Sequence, residues 1–343
     1  MGLQEHFKNF HDKIKLDYDT NAELRDKRDI LCGILSNSDK LPGFEILNQG
    51  SYSMHTGVVP LEGKEYDIDV GLRFNVSKND YTPLHFKEII QDILKDYTEY
   101  GAEIKKPCVT VTYKKDGEAA FHVDLVTYTY EDPDDHNSQL YLARGKNSAS
   151  EDACWERSDP KGLIDYIMDK PSVHKEQFRR IVRYLKRWKN LKFSSLGHAE
   201  PPSIGITLMA ADYYYNHSYA IDENNDIESL IAVCVYIANK FSFTCISPTG
   251  KLLYRIRYDL PLTLRFEHPS DVFSKMTDVQ CTDFKEKLDK LISDLKSARD
   301  EADEVEQCRI LHHVFGDDFE VPNAKDVSKP QRNYIPSSSA SGV

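Results

Sequence analysis

The chain has 343 residues, of which 40% are hydrophobic, 11% aromatic and 29% charged, with a net charge of −12. This length exceeds one ordinary core and leaves room for two packed units, and the aromatic share excludes a disordered chain. The acidic balance excludes broad binding to nucleic-acid backbones unless a local basic patch is present.

No basic leader precedes an apolar stretch at the start, and no run of eighteen apolar residues occurs, so no membrane span is expected. The seven cysteines are scattered without a C-x-x-C and read as reduced thiols, which points to a cytoplasmic protein. The N-terminal part reads as helical. Thr20-Asn-Ala-Glu23 fits a capping box, and Leu24, Leu31, Ile34 and Leu35 then share a face. A short strand follows at 44–47, and YDIDVGLRFNV (66–76) alternates as a half-buried strand does. Thr82-Pro83 predicts a helix start, with Ile89, Ile90, Ile93, Leu94 and Tyr97 on the buried face. VTVTYKK (109–115), a turn at Asp116-Gly117 and EAAFHVDLVTYTY (118–130) predict a hairpin.

The polar stretch from Glu131 to Gly162 predicts a long surface connection. From Leu163 the pattern is helical. QFRRIVRYLKRWKNLK (177–192) places Phe178, Ile181, Val182, Leu185 and Trp188 on one face and seven Arg/Lys residues on the others. A second helix starts after Pro201-Pro202, and a long third runs from near Asp283 to Phe315, stopped by Gly316. The ending NYIPSSSASGV reads as a flexible tail. The order predicts an α+β fold: a mixed-sheet lobe over 1–160, a helical lobe over 161–321 and a tail over 322–343.

On a strand, Asp67 and Asp69 project to one face while Ile68 and Val70 enter the core. Carboxylates that close repel each other unless a cation intervenes, and magnesium takes such oxygens together with phosphate and water. An EF-hand is excluded, because Gly71 stands where a third ligand is required. Asp124, inside the apolar strand FHVDLVTYTY, needs a partner; if that strand neighbours 66–76, three carboxylates converge. Gly50-Ser51 suits a phosphate, since glycine admits close backbone approach and the hydroxyl can donate. Taken singly, the aspartates are explained equally well by a solvated strand face, and Ser51 better by a cap or turn. Their combination favours chemistry.

The runs N-Q-G-S-Y-x-x-x-T (48–56), D-I-D-V-G (67–71) and H-V-D-L (122–125) together resemble the DNA polymerase β-like nucleotidyltransferase superfamily. More narrowly, they are similar to the bacterial cGAS/DncV-like nucleotidyltransferases of anti-phage (CBASS) systems. LYLARGK and WERSDPK resemble that group's linker, RRIVRYLKRW its central helix and VFGDDF its closing segment, so the resemblance runs from about Leu47 to Phe319. It implies a polymerase β-like mixed-sheet lobe packed on a helical lobe, and Mg²⁺-dependent synthesis of a cyclic di- or trinucleotide from ATP, GTP or other NTPs.

By the same resemblance, Asp67, Asp69 and Asp124 hold two Mg²⁺ ions (or Mn²⁺), and Gln49, Gly50 and Ser51 contact the donor triphosphate. Thr56, Lys186 and Ser203 match further phosphate-binding positions. Without it, Lys186 reads as a solvated charge and Ser203 as an N-cap. The implied partners are an effector that binds the product and CBASS regulatory proteins. No long DNA ligand is expected, because the zinc-binding thumb of animal relatives has no counterpart here and the chain is acidic. The Arg179–Lys192 cluster is then a triphosphate cradle rather than a DNA track, and Cys308, His312 and His313 are a structural trio. Ile204 stands where animal enzymes carry a base-stacking tyrosine. The alternatives are a template-independent transferase that extends RNA or nucleotidylates protein, and a catalytically inactive nucleotide-binding protein.

Overall fold

Two main hydrophobic cores, one beneath a mixed sheet and one inside a helical bundle, organise the computed structural model, with a smaller cluster of Cys108, Val126 and Tyr128 beside them. It describes residues 2–16, 22–64, 66–115, 118–146, 153–194 and 196–323. The first part of the chain carries α1 (Leu3–Ile14), α2 (Ala22–Ser36), β1 (Phe44–Asn48), the single turn α3 (Gly50–Ser53), β2 (Tyr66–Ser77), α4 (His85–Leu94) and β3 (Ala102–Ile104). It continues with β4 (Val109–Lys115), β5 (Glu118–Tyr130), β6 (Leu140–Arg144) and β7 (Cys154–Ser158). The helical part holds α5 (Pro160–Asp169), α6 (Lys175–Lys192), α7 (Ser203–Asn216) and α8 (Asp226–Ala238). The hairpin β8 (Phe241–Ile246) and β9 (Leu252–Ile256) follows, then α9 (Asp278–Asp300) and α10 (Glu304–Phe315).

The main sheet has the order β1-β2-β5-β4-β3, with β6 joined to β5 and β7 to β6. β2 and β5 are parallel, and the other pairs are antiparallel. Alternation explains which face is which. Ile68, Val70, Leu72 and Phe74 of β2, with Val123 and Leu125 of β5, are buried against Leu31 and Leu35 of α2 and Phe86, Ile90 and Leu94 of α4. Each such side chain contributes roughly 2 kcal/mol of burial, so a one-residue slip that exposed the set would be prohibitive. That lock holds Asp67 and Asp69 on the opposite face.

Several elements differ from the sequence expectation. α4 begins at His85, because Pro83 lies in the turn before it, and Tyr97 lies beyond the helix and is exposed. The expected surface connection contains β6 and β7, the first alternating Leu-Tyr-Leu-Ala-Arg with Tyr141 and Ala143 buried. The expected long last helix is two. α9 starts with a Thr277–Gln280 capping box, and the Asp303 side chain accepts from Val305 N and Glu306 N to start α10 afresh. The helix α8 and the strands β3, β8 and β9 have no counterpart in the sequence reading.

The first helix also packs where the domain division did not put it. Phe7, Phe10 and Ile14 belong to the helical core, with Phe10 stacked on Tyr184 at 5.3 Å and tilted against Phe315 at 4.8 Å. Thr20 and Asn21 of the expected capping box, the Asp116-Gly117 turn and the tail from 324 onward lie outside the described residues. Among the described residues, no helix is long and apolar enough to cross a membrane.

Candidate active site

Parallel pairing of β2 with β5 sets Asp69 directly opposite Asp124, and Asp67 lies two residues earlier on the same face. The hairpin register sets Thr110 of β4 opposite Asp124 on its other side, and Thr110 Oγ1 donates to Asp124 Oδ1 at 2.6 Å. Burial, then the charges of Asp124 and Asp67, push the Asp69 carboxyl up to about 6, with Lys186 opposing. The strands thus bring the three aspartates together as neighbours. The expected convergence stops short of the oxygens: among the described residues, no three acidic, His or Cys side chains gather around one point as metal ligands would. Asp124 is held by Thr110, and Asp69 lies against Gly50.

Gly50 has φ +65°, and any side chain there would collide with the Asp69 carboxylate. Glycine is therefore required twice over, for the left-handed backbone and for the close approach of a strand acid. A cavity of about 750 Å³ opens in front of this corner, and Gly50, Ser51, Asp67, Asp69, Lys186 and Ser203 all line it. Ser203 is the first residue of α7; Pro202 occupies the cap position, so the serine does not act as an N-cap. It instead lines the cavity at a helix N-terminus, where free amides favour anions.

Gln49 and Thr56, expected at the triphosphate, sit one layer behind the lining. Gln49 is buried and its Oε1 accepts from the Tyr128 hydroxyl at 3.0 Å, beside Gly71, whose missing Cβ leaves the room. Thr56 is fully buried, and Lys186 Nζ donates to both its carbonyl and its hydroxyl at 3.0 Å. Burial, followed by Lys189 and Arg183, pushes the Lys186 ammonium down to about 7. Lys186 is thus a buried group at the cavity wall rather than a solvated charge.

The basic face of α6 departs from the expected cradle. Arg183 donates to the carbonyls of Gly57 (3.1 Å) and His55 (2.5 Å), and Arg187 to that of Val59 (2.7 Å). With Lys186 on Thr56, four carbonyls of one segment are tied to one helix. Arg179 pairs with Glu176, Arg180 with Asp226, and Lys192 donates to the His313 carbonyl. Of the seven basic residues, Lys186 and Lys189 line the cavity. The cluster mainly straps the 54–60 segment, which joins the Gly50-Ser51 turn to β2, onto the helical core. Cys308 is buried, and burial pushes its thiol up to about 12. His312 Nδ1 is 2.9 Å from the Phe319 carbonyl oxygen.

Sequence reasoning placed Lys189 only within the basic cluster and missed Asn190 and Phe193; the three line the cavity at three, four and seven residues beyond Lys186. Helical periodicity applied from Lys186 finds all three. It also missed Thr110, which counting back along the hairpin from Asp124 locates. Glu200, in the segment before α7, carried no signal.

Residues 44–128 match the family described as Cyclic GMP-AMP synthase DncV-like, nucleotidyltransferase domain. A cyclic GMP-AMP synthase of Escherichia albertii is 28% identical over 174 residues, 49% of this chain and 37% of that protein. A c-di-GMP synthase of Roseivirga ehrenbergii is 27% identical over 203 residues, 51% of this chain and 50% of that protein. The match thus spans half or less of the length of these curated relatives. The crystal structure of the Vibrio cholerae DncV cyclic AMP-GMP synthase superposes with a TM-score of 0.70 at 17% identity, covering 94% of this chain and 98% of that one. That likeness shows a shared fold.

Proposed function

We propose, from a chain whose residues 44–128 are a DncV-like nucleotidyltransferase domain, that this protein joins nucleoside triphosphates into a cyclic di- or trinucleotide. The observation that carries the reading is Asp69 facing Asp124 across a parallel strand pair, with Asp67 on the same face, beside Gly50-Ser51 at a cavity. The names of the two curated relatives support purine substrates, since both products contain guanine.

The donor set fits magnesium: three carboxylates are hard oxygen ligands, and the raised Asp69 carboxyl marks a spot where added positive charge is favourable. Asp67, Asp69 and Asp124 would hold two Mg²⁺ ions, or Mn²⁺, which when bound neutralise the phosphates and acidify the attacking ribose hydroxyl. The protein's own groups do the rest. The Gly50 backbone admits the triphosphate closely, and the Ser51 and Ser203 hydroxyls donate to its oxygens. Lys186, held by Thr56, supplies a cation that gains its proton as phosphate charge arrives. Asp124, held by Thr110, accepts the proton of the attacking hydroxyl. Pyrophosphate leaves once per bond, and one site makes every bond, so the linear intermediate must turn round in the cavity.

An anti-phage (CBASS) role, with an effector that binds the product and dedicated regulators, rests on the sequence resemblance. The test of the chemistry is incubation with each NTP pair and Mg²⁺, followed by phosphatase treatment and mass analysis. A small phosphatase-resistant product supports cyclisation. Elongated RNA or nucleotidylated protein in its place overturns it.

A further inference from the structure

Glu200 is the acid of the cavity wall that the reading above leaves without a task. Apart from Asp67 and Asp69, it is the one acidic side chain in the lining formed by the described residues. Its side chain is 31% exposed, and its Oε2 lies 3.2 Å from Nζ of Lys189, which is 7% exposed. A carboxylate away from the paired aspartates repels bound phosphate, and its contact offsets the charge of Lys189. The pair is therefore ill suited to a triphosphate. Its surroundings suit an uncharged ring, because Phe193, Leu196 and Ile204 line the same cavity. Along α6, Lys189 and Phe193 follow Lys186 by one and two helical turns, about 5 and 10 Å, which is the direction a nucleotide extends from its phosphates to its base.

We propose that Glu200 and Lys189 read the edge of guanine, an inference that rests on the nucleotidyltransferase reading. Guanine presents O6, N1–H and the 2-amino group side by side, as acceptor, donor and donor. The Lys189 ammonium donates to O6 while the Glu200 carboxylate accepts from N1–H and the 2-amino group. Adenine in the same slot sets the N1 lone pair against the carboxylate and its amino group against the ammonium, so it is repelled at both points.

The test is equilibrium binding of GTP, ITP and ATP to the full chain, with calcium replacing magnesium to stop turnover. The expected result is GTP tighter than ATP by about tenfold to a hundredfold, with ITP, which lacks the 2-amino group, between them. Glu200→Gln keeps an oxygen for Lys189 and turns an N–H₂ toward the base, so it should erase the GTP preference and tighten ATP. GTP and ATP binding the wild-type chain equally, or a ratio unchanged in Glu200→Gln, overturns the proposal. A purely structural Glu200 would lower the melting temperature of that variant and leave the ratio unmoved. Should the variant fail to fold, the wild-type GTP, ITP and ATP series decides alone. Failure of every NTP to bind overturns the nucleotidyltransferase reading itself, an outcome distinct from equal binding.

Discussion

At Asp69, burial and two neighbouring carboxylates raise proton affinity while Lys186 lowers it. The side chain is held there by strand register and contributes strain rather than stability. Asp69→Asn should therefore reduce pyrophosphate release by about a thousandfold or more, the scale of losing several kcal/mol of charge stabilisation. The melting temperature of the same variant should hold or rise; turnover that survives would remove Asp69 from the metal site. Gly50→Ala addresses the other half of the corner. With φ at +65° and the Asp69 carboxylate in the way, it should cost roughly 1–3 kcal/mol in denaturant unfolding and impair nucleotide binding. At this scale the sequence was informative, because Asp67-x-Asp69 and Asp124 carry their own alternation. Gln49 and Thr56 were misplaced by one layer, because a motif gives residue identity and not depth.

Among the elements, α6 does more than its amphipathic pattern shows. Its apolar stripe was legible from Phe178 to Trp188, whereas the bonds from Arg183, Lys186 and Arg187 to the 55–59 carbonyls were not. No pattern in a sequence announces that a basic residue will meet a backbone oxygen well over a hundred residues away. The strap carries a pH dependence through α1. Arg183 Nη1 donates to His11 Nε2 at 2.8 Å, Asp12 sits on His11 Nδ1 at 3.1 Å, and Arg180 adds a more distant charge. Burial first, then Arg183, push this imidazole down to about 4 from 6.5. The unfolded chain thus binds the proton more readily, so this contribution is complete above pH 6.5 and is lost as pH falls toward 4. Stability against urea should decline across that window by a few kcal/mol at most, and His11→Gln should flatten the slope. An unchanged slope in the variant would place the titration elsewhere.

Lys87 is a second element-level device. It is fully buried at the first turn of α4, and its ammonium donates to the carbonyls of Lys105, Lys106 and Gly145 at 2.8–3.1 Å. Lys87→Met would leave the Lys105 and Gly145 carbonyls bare in the interior and the Lys106 carbonyl to the Gly145 N–H. At about 1–3 kcal/mol each before relaxation, a loss of 3 kcal/mol or more is expected by urea unfolding. Less than 1 kcal/mol would mean that water reaches those oxygens.

At the scale of the molecule, the N-terminal helix packs into the core of the helical part. Phe7 and Phe10 pack among Tyr184, Phe315 and Phe319, so the first residues of the chain close a core built mainly from the second half. Phe10→Ala should cost about 3–5 kcal/mol. Because the strap ties that core to the cavity, the variant should also weaken nucleotide binding at temperatures well below its melting point. A destabilised variant that binds nucleotides normally would separate the two cores functionally.

By itself the sequence determined the period of the main strands and helices around the site, and with it the aspartates that share a face, because alternation and 3.6-residue spacing are local properties of the chain. It also singled out Gly50, because glycine admits a close backbone approach. The tertiary structure alone decided which strand lies beside β2, how deep each side chain sits, and where the cations of α6 spend their bonds. Those are matters of packing between segments far apart in the chain, where burial and partner geometry outweigh any local preference.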